Sequence, residues 1–168
     1  MDAITVLVSG RQHSTRAACR AALADASDMR VVAEPRTAAE TLAAAHRFRP
    51  DVVVLASPLA SPELHLLLDA LTTARRPRVL LVAAARSDAA VVTALARGAR
   101  GHVSPAGVAR WLARAVGTVG RGGTWYARSL EPAIVARLVA DRHGRARSAG
   151  PGDSGRWSNG RRRARQER

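Results

Sequence analysis

The sequence predicts an α/β fold with an open, doubly wound sheet of five parallel strands. Five short apolar runs alternate along the chain with segments of helical composition. Three of these runs are nearly continuous and rich in β-branched residues, which is typical of parallel strands buried on both faces. The predicted strands are Ile4–Val8, Arg30–Ala33, Val52–Leu55, Arg78–Val82 and the weaker His102–Val103. Right-handed crossovers between such strands should place helices on both faces of the sheet.

The first two helices follow the first two strands. The first is expected to start at Ser14 or Thr15 and to run to about Ala26, with the single cysteine, Cys19, buried within it. Thr37 can cap the second helix, and Glu40 three residues later completes a capping box.

The third and fourth helices have equally clear starts. Ser61-Pro62-Glu63 offers an N-cap, a proline suited to the first turn and an acid favoured by the helix dipole. One apolar stripe follows at helical spacing, formed by Leu64, Leu67, Leu68 and Leu71. The fourth helix is expected after Ser87-Asp88 and should end near Gly98.

The fifth and sixth helices leave an alternative open. The fifth has an apolar stripe at Val108, Leu112, Val116 and Val119, with Trp111 and Ala115 alongside. This stripe is expected to belong mostly to the core, but it could instead form a homodimer face comprising Val108, Trp111, Leu112, Ala115 and Val119. The sixth helix would be capped by Ser129, with Pro132 in its first turn and an apolar side of Ile134, Val135, Leu138 and Val139.

The composition limits the chemistry available to the chain. Its 168 residues carry a formal charge of +14, and all 27 basic residues are arginine. Without lysine there is no Schiff base and no P-loop lysine, and one cysteine cannot form an internal disulfide or a cysteine-based zinc site. No targeting segment and no apolar window of about 18 residues is present, so we expect a cytoplasmic protein without a membrane span.

The charge divides the chain into three predicted parts. Residues 142–168 contain 9 arginines and 2 acidic residues with almost no aliphatic side chains, so we expect a disordered tail there. Residues 1–121 would form the domain, and residues 122–141 a linker and helix. The tail could bind nucleic acid through phosphate contacts, or it could be a solvated basic segment. The candidate phosphate contacts are Arg161, Arg162, Arg163 and Arg165.

Three motifs, in this order and spacing, carry a resemblance to a known family. They are Arg49-Pro50-Asp51 before the third strand, Gly98-Ala99-Arg100-Gly101 before the fifth, and Gly122-Gly123-Thr124-Trp125 after the fifth helix. Over residues 3–140 the chain resembles the receiver domain of bacterial response regulators of the LuxR/NarL type. The resemblance implies the strand order 2-1-3-4-5 and a regulatory role. No helix-turn-helix effector is expected in residues 142–168, which are too short and too poor in apolar residues.

The chain departs from that family at every position of its phosphorylation chemistry. The resemblance implies an acidic pair that holds Mg²⁺, but its place falls on Gly10 and Arg11, with Ser9 before them. The place of the phosphoacceptor aspartate falls on Ala56, and that of the signalling hydroxyl falls on Ala83. The region of the family's lysine contains Ser104.

We therefore expect a pseudo-receiver that works without phosphorylation. Alanine has no nucleophile, and Mg²⁺ requires oxygen ligands that these positions do not supply. No metal, no cofactor and no catalysis are expected. Such a domain would act by forming a homodimer, by binding another regulatory protein, or by binding a small acidic ligand.

The same strand ends contain the candidate ligand pocket, near the point where such sheets bind ligands. Its predicted residues are Ser9, Gly10, Arg11, Ala56, Ser57, Ala83 and Ser104. Arg11 could hold an anion with the help of the first helix's N-terminus, or it could be an exposed arginine filling a vacated site. Ser57 could accept a phosphoryl group in place of Ala56, but no nearby base is indicated and a loop serine is the simpler interpretation.

Overall fold

A computed structural model describes residues 3–73, 77–85 and 87–148, excluding the side chains of residues 138 and 141–148. The strands are β1 (Ile4–Gly10), β2 (Met29–Ala33), β3 (Val52–Ala56), β4 (Arg78–Val82) and β5 (Gly101–Val103). The helices are α1 (His13–Ala24), α2 (Ala38–Phe48), α3 (Pro62–Thr72), α4 (Asp88–Ala96), α5 (Val108–Gly120) and α6 (Glu131–Ser148).

All five strands are parallel and follow the order β2-β1-β3-β4-β5, which confirms the predicted fold. Two apolar clusters cover the two faces of the sheet. Because side chains alternate along a strand, Leu7, Val53 and Leu81 pack on one face against α3 and α4. Val8 and Val54 pack on the other face against α1 and α5. The sheet is therefore buried on both sides, which explains its nearly continuous apolar strands.

The helix starts differ in how well the sequence predicts them. Thr37 accepts a hydrogen bond from the Glu40 backbone N–H at 3.2 Å, and Ser87 caps α4 in the same way. Helix α1 instead begins at His13, one residue before the earliest predicted start, with Gln12 as its N-cap. Thr15 lies inside the first turn, where its hydroxyl donates to the Gln12 side-chain oxygen at 3.2 Å.

Part of the predicted linker joins the edge of the sheet. Trp125 pairs with Gly101 in parallel, accepting from the His102 N–H at 2.8 Å and donating to the Arg100 carbonyl at 2.9 Å. A Cβ on Gly101 would lie 2.6 Å from the Trp125 carbonyl oxygen, so only glycine allows this close approach.

The start and the extent of α6 differ from the sequence prediction. A 3₁₀ turn over Arg128–Leu130 precedes the helix, so Ser129 lies within this turn and is not the cap. Leu130 is buried and Ile134 packs on the same cluster, whereas Val135 and Val139 are exposed. The helix continues to Ser148, so residues 142–148 are helical where the sequence predicted a disordered tail. Arginine and alanine supply four of residues 142–148, and their helix propensity offsets the poor propensity of Gly144.

No helix in the described ranges is long and apolar enough to cross a membrane.

Candidate functional site

A cleft of about 610 Å³ lies at the carboxyl ends of the strands, where the predicted pocket was placed. The structure brings six of the seven predicted residues to its lining, namely Ser9, Gly10, Arg11, Ala56, Ser57 and Ala83. Ser104 does not line the cleft, but its neighbour Pro105 does.

The floor of the cleft is closed by two residues without reactive side chains. Gly10 and Ala56 are partners in the register between β1 and β3. A Cβ on Gly10 would lie 2.9 Å from both the Cβ and the carbonyl oxygen of Ala56. Any side chain at position 10 would therefore force the two strand ends apart.

Ser9 is committed to a buried hydrogen bond. Its hydroxyl lies 2.6 Å from the Thr41 hydroxyl, and the Thr41 hydroxyl donates its one hydrogen to the Thr37 carbonyl. Ser9 is therefore the donor to Thr41. This bond links β1 to α2 and leaves Ser9 a structural residue of the cleft floor.

Arg16 places a buried positive charge beside this floor. Its side chain is only 4% exposed, and its guanidinium donates to the carbonyl oxygens of Gly10 and Arg11. Among the described residues no carboxylate forms an ion pair with Arg16. The carbonyls at the end of β1 thus hold a permanent cation supplied by α1.

Two charged side chains face each other at the mouth of the cleft. An Arg11 nitrogen lies 3.9 Å from a Glu63 carboxylate oxygen, and both side chains are more than half exposed. Solvent weakens such a pair, so it can open without a large energetic cost. Arg36 also lines the cleft, whose charged residues in the described chain are therefore two arginines and one glutamate.

Sequence reasoning missed Glu63 and Arg36 as lining residues and Arg16 as a neighbour of the cleft. Glu63 and Arg16 belong to the first turns of α3 and α1. In a parallel α/β fold each helix starts close to the carboxyl end of the strand before it. Their positions in the first turn were therefore the sequence signal that could have placed Glu63 and Arg16 near the cleft.

The loop after β4 is fixed by His102. Its Nε2 lies 2.8 Å from the Ala83 carbonyl oxygen, which can only accept, so Nε2 carries the hydrogen. The Ala83 N–H donates to the Val103 carbonyl at 3.2 Å. Ala83 is therefore held by its backbone, and its methyl group offers the cleft no hydrogen-bonding atom.

The candidate dimer face lies mostly in the core. Val108 is 3% exposed, and Leu112, Ala115 and Val119 are fully buried. Only Trp111 reaches the surface, and neighbours from its own chain contact it. Its ring lies 6.2 Å from the Trp125 ring, and the Arg110 guanidinium lies 4.6 Å above it.

The residues at the strand ends do not fit the magnesium ion that the family resemblance implies. Gly10 has no side chain, Ala56 has a methyl group, and the nearest buried charge is the cation of Arg16. Across the described ranges no three histidine, cysteine, aspartate or glutamate residues form a group that could hold a metal. Cys19 is fully buried in α1, where burial raises the pKa of its thiol to about 11.

The candidate phosphate contacts Arg161, Arg162, Arg163 and Arg165 lie outside the described residues.

Comparison with known proteins identifies the fold. No family model and no curated protein matches the sequence, but solved structures of response regulators and of their receiver domains match the structure. The signal receiver domain of the response regulator NarL from Mycobacterium tuberculosis is 26% identical, with a TM-score of 0.65 over 73% of this chain and 99% of that one. A LuxR-family two-component response regulator from Aurantimonas is 19% identical, with a TM-score of 0.70 over 82% and 99% of the two chains.

The isolated receiver domain of RcsB from Salmonella enterica, 14% identical, has a TM-score of 0.68 over 82% of this chain and 98% of that one. These matches confirm the resemblance to response-regulator receiver domains, and the likeness supports a role in signal transduction. No effector domain is evident in the described part of the chain.

Proposed function

We propose that this chain is an atypical receiver domain that regulates transcription without being phosphorylated. It would signal by forming a homodimer or by binding a partner protein or ligand, and it would not be an enzyme. The observation that carries this proposal is the pairing of Gly10 with Ala56 at the end of β1 and β3. The strand ends have the geometry of a receiver, but they lack both the nucleophile and the metal ligands.

The chemistry of this pair argues against phosphoryl transfer. A carboxylate nucleophile is needed to form an aspartyl phosphate, and Ala56 has none. An acidic side chain at position 10 would collide with Ala56, so the acidic pair cannot be restored without moving β1.

Arg16 supports a receiver that is held in one conformation. Its guanidinium bonds the Gly10 and Arg11 carbonyls, so the β1–α1 loop is ordered by the protein's own cation. Such a loop needs no ion or phosphoryl group to become structured. Regulation would then come from what binds the domain rather than from chemistry at its strand ends.

A phosphate-mimic titration followed by amide NMR tests this proposal. Beryllofluoride with Mg²⁺ should give no saturable shifts at Gly10, Ala56 or Ala83 beyond those caused by Mg²⁺ alone. A conventional receiver with its full set of acidic residues, titrated in parallel, should respond. Saturable shifts at these three amides would refute phosphorylation-independent action.

The exposed side of α5 favours an acidic partner. Its surface residues include Arg110 and Arg114, and a symmetric dimer built on this side would bring like charges together. Sedimentation at increasing concentration distinguishes the two cases. A monomer at high micromolar concentration eliminates the homodimer and leaves partner binding, whereas a dimer weakened by Trp111→Arg supports an interface at α5.

A small acidic ligand at the strand ends is a further form of the same proposal. Arg11 and Arg36 line the cleft, and the exposed Arg11–Glu63 pair can open to admit an anion. Arg11→Gln should then abolish any amide shifts that an anionic metabolite mixture induces at Gly10. Unchanged shifts in this variant would exclude Arg11 as the contact.

Nucleic-acid binding is a second candidate function, and it is favoured by the 9 arginines of residues 142–168. Deleting residues 149–168, which include the run around Arg161, should abolish salt-dependent binding to duplex DNA. If the full chain does not bind DNA at moderate salt, this function is excluded.

A further inference from the structure

A second cleft, of about 700 Å³, lies near the amino-terminal ends of the strands, on the side of the sheet opposite to the first cleft. It is bounded by the ends of α3 and α4, the start of β4, the segment containing Tyr126, and α6. We propose that this cleft binds a small organic anion, with an acidic group carried on an apolar body. Its volume falls within the range of about 300–1,000 Å³ that is typical of small-molecule sites.

The inner wall of this cleft is apolar. Val92 and Leu95 of α4 contribute to it, and Tyr126 and Ile134 approach from the other side. Tyr126 and Ile134 both pack against the apolar cluster under α3 and α4. This wall suits the hydrocarbon or aromatic part of a ligand, which would be removed from water there.

The charged residues of the cleft are unbalanced. Among its described lining residues are four arginines and a single carboxylate, Asp69. Arg97 donates to Asp69 at 2.8 Å, so that one carboxylate is already paired. Arg78 donates one of its five N–H groups to the Gly120 carbonyl, which is neutral. The guanidinium groups of Arg78 and Arg100, which no described carboxylate neutralises, would therefore attract an anion.

Arg100 is the arginine best placed to bind an anion in this cleft. It is exposed, and its side chain makes no hydrogen bond or ion pair with any residue of the described ranges. Its backbone is fixed on both sides, since its N–H donates to the Val79 carbonyl and its carbonyl accepts from Trp125. A guanidinium on such a fixed backbone can form a two-pronged contact with a carboxylate, phosphate or sulfonate.

The rim beside Arg97 is held by contacts within the chain. The Thr72 hydroxyl shares its one hydrogen between the Leu68 carbonyl at 2.7 Å and the Arg97 carbonyl at 3.1 Å, and the longer contact links the end of α3 to the end of α4. Gly98 has a φ of 104°, and a Cβ there would lie 2.9 Å from Thr72. A preformed rim of this kind lowers the ordering cost of binding.

Helix α6 supplies one wall, through Ile134 and Arg137. An anion in the cleft would therefore stabilise the docked position of α6, because it contacts both α6 and the body of the domain. Amide exchange along α6 should slow when the cleft is filled.

The probe for this proposal is 8-anilinonaphthalene-1-sulfonate, an aromatic sulfonate whose fluorescence rises in apolar sites. Wild-type chain should bind it saturably, with amide shifts at Gly98, Ala99 and Thr124. Arg100→Gln should weaken binding about tenfold, as expected for one lost charge-assisted contact. Ala96 at the end of α4 also lines the cleft and is exposed, so Ala96→Phe should fill the cleft and weaken binding further.

Two controls make the test specific. Arg30→Gln removes the same charge from an exposed site on β2, outside both clefts, and should bind as the wild type does. N-phenyl-1-naphthylamine, which lacks the sulfonate, should bind more weakly and should not distinguish Arg100→Gln from wild type. Equal binding by the two arginine variants, or sulfonate-induced shifts at Gly10 and Ala83 instead, would overturn the proposal.

Discussion

At the scale of single residues, Arg16 differs most from what its sequence position suggests. An arginine in the first turn of a helix is disfavoured by the helix dipole and would ordinarily extend into solvent. Here it is buried and bonds the carbonyls of Gly10 and Arg11. These bonds offset the unfavourable interaction with the helix dipole and the cost of burying the charge. They also fix the loop after β1, which forms part of the candidate pocket.

Arg16→Met should lower the free energy of unfolding by about 2 kcal/mol, the value of charge-assisted hydrogen bonds to buried carbonyls. Methionine keeps the length of the aliphatic chain, so the loss reports the bonds rather than the packing. Arg20→Met, one turn further along α1, is the matched control. Its pair with Glu34, at 3.4 Å, is partly exposed and screened by solvent, so the change should be under about 0.5 kcal/mol.

Urea unfolding of both variants measures the difference. Equal midpoints for Arg16→Met and Arg20→Met would mean that Arg16 does not hold the loop.

Some site residues could be predicted from the sequence and others could not. The positions of Gly10 and Ala56 follow from where each apolar strand ends, which is a local property of the chain. The cleft-lining role of Glu63 depends on which side of α3 faces the loop after β1, and local periodicity does not encode that. The burial of Arg16 could likewise not be predicted, because it depends on the Gly10 and Arg11 carbonyls lying within reach of its guanidinium.

At the scale of the elements, α2 and α3 begin in different ways. A side-chain cap bond stabilises the start of α2, whereas a proline in the first turn stabilises the start of α3. Thr37 and Ser61 are both hydroxyl residues at N-caps, before α2 and α3. Only Thr37 accepts a backbone hydrogen bond, from Glu40, while the Glu40 carboxylate accepts from the Arg36 N–H at 2.7 Å. Helix α3 begins with Pro62, whose fixed φ sets the first turn without a cap.

Thr37→Ala should therefore lower the free energy of unfolding by about 1 kcal/mol, the usual value of an N-cap bond. Ser61→Ala removes the same kind of hydroxyl, but no cap bond, and should cost under about 0.5 kcal/mol. Thermal or urea unfolding of the two variants side by side decides this. A larger loss for Ser61→Ala would show that the two caps do not differ as described.

The sequence predicted the buried face of a helix correctly where apolar residues recur at helical spacing along the whole helix. The leucine stripe of α3 is buried at all four predicted positions, because helical spacing alone defines that face. The stripe of α6 is not, since Val135 and Val139 remain exposed while Ile134 packs inward. Among the described side chains of α6, Ile134 is the one that packs on this cluster, and sequence spacing cannot indicate how far a helix stays in contact.

At the scale of the whole molecule, one cleft lies at the carboxyl ends of the strands and the other near their amino ends. The two clefts differ in the ligands that they can recognise. The cleft at the carboxyl ends of the strands has a closed floor of Gly10 and Ala56. The opposite cleft has an apolar wall and surplus arginine, and α6 forms part of it. The overall charge of +14 thus contributes to a defined site as well as to general attraction for polyanions.

Helix α6 should accordingly stabilise the domain as well as shape the second cleft. Its junction buries Leu130 to 3% exposure, and Ile134 packs on the same cluster, so losing both leaves apolar core surface in water. A chain ending at Ala127 should be about 3 kcal/mol less stable in urea than a chain ending at Ser148. Both lack residues 149–168, so the comparison isolates 128–148. Equal stability of the two chains would mean that α6 does not dock.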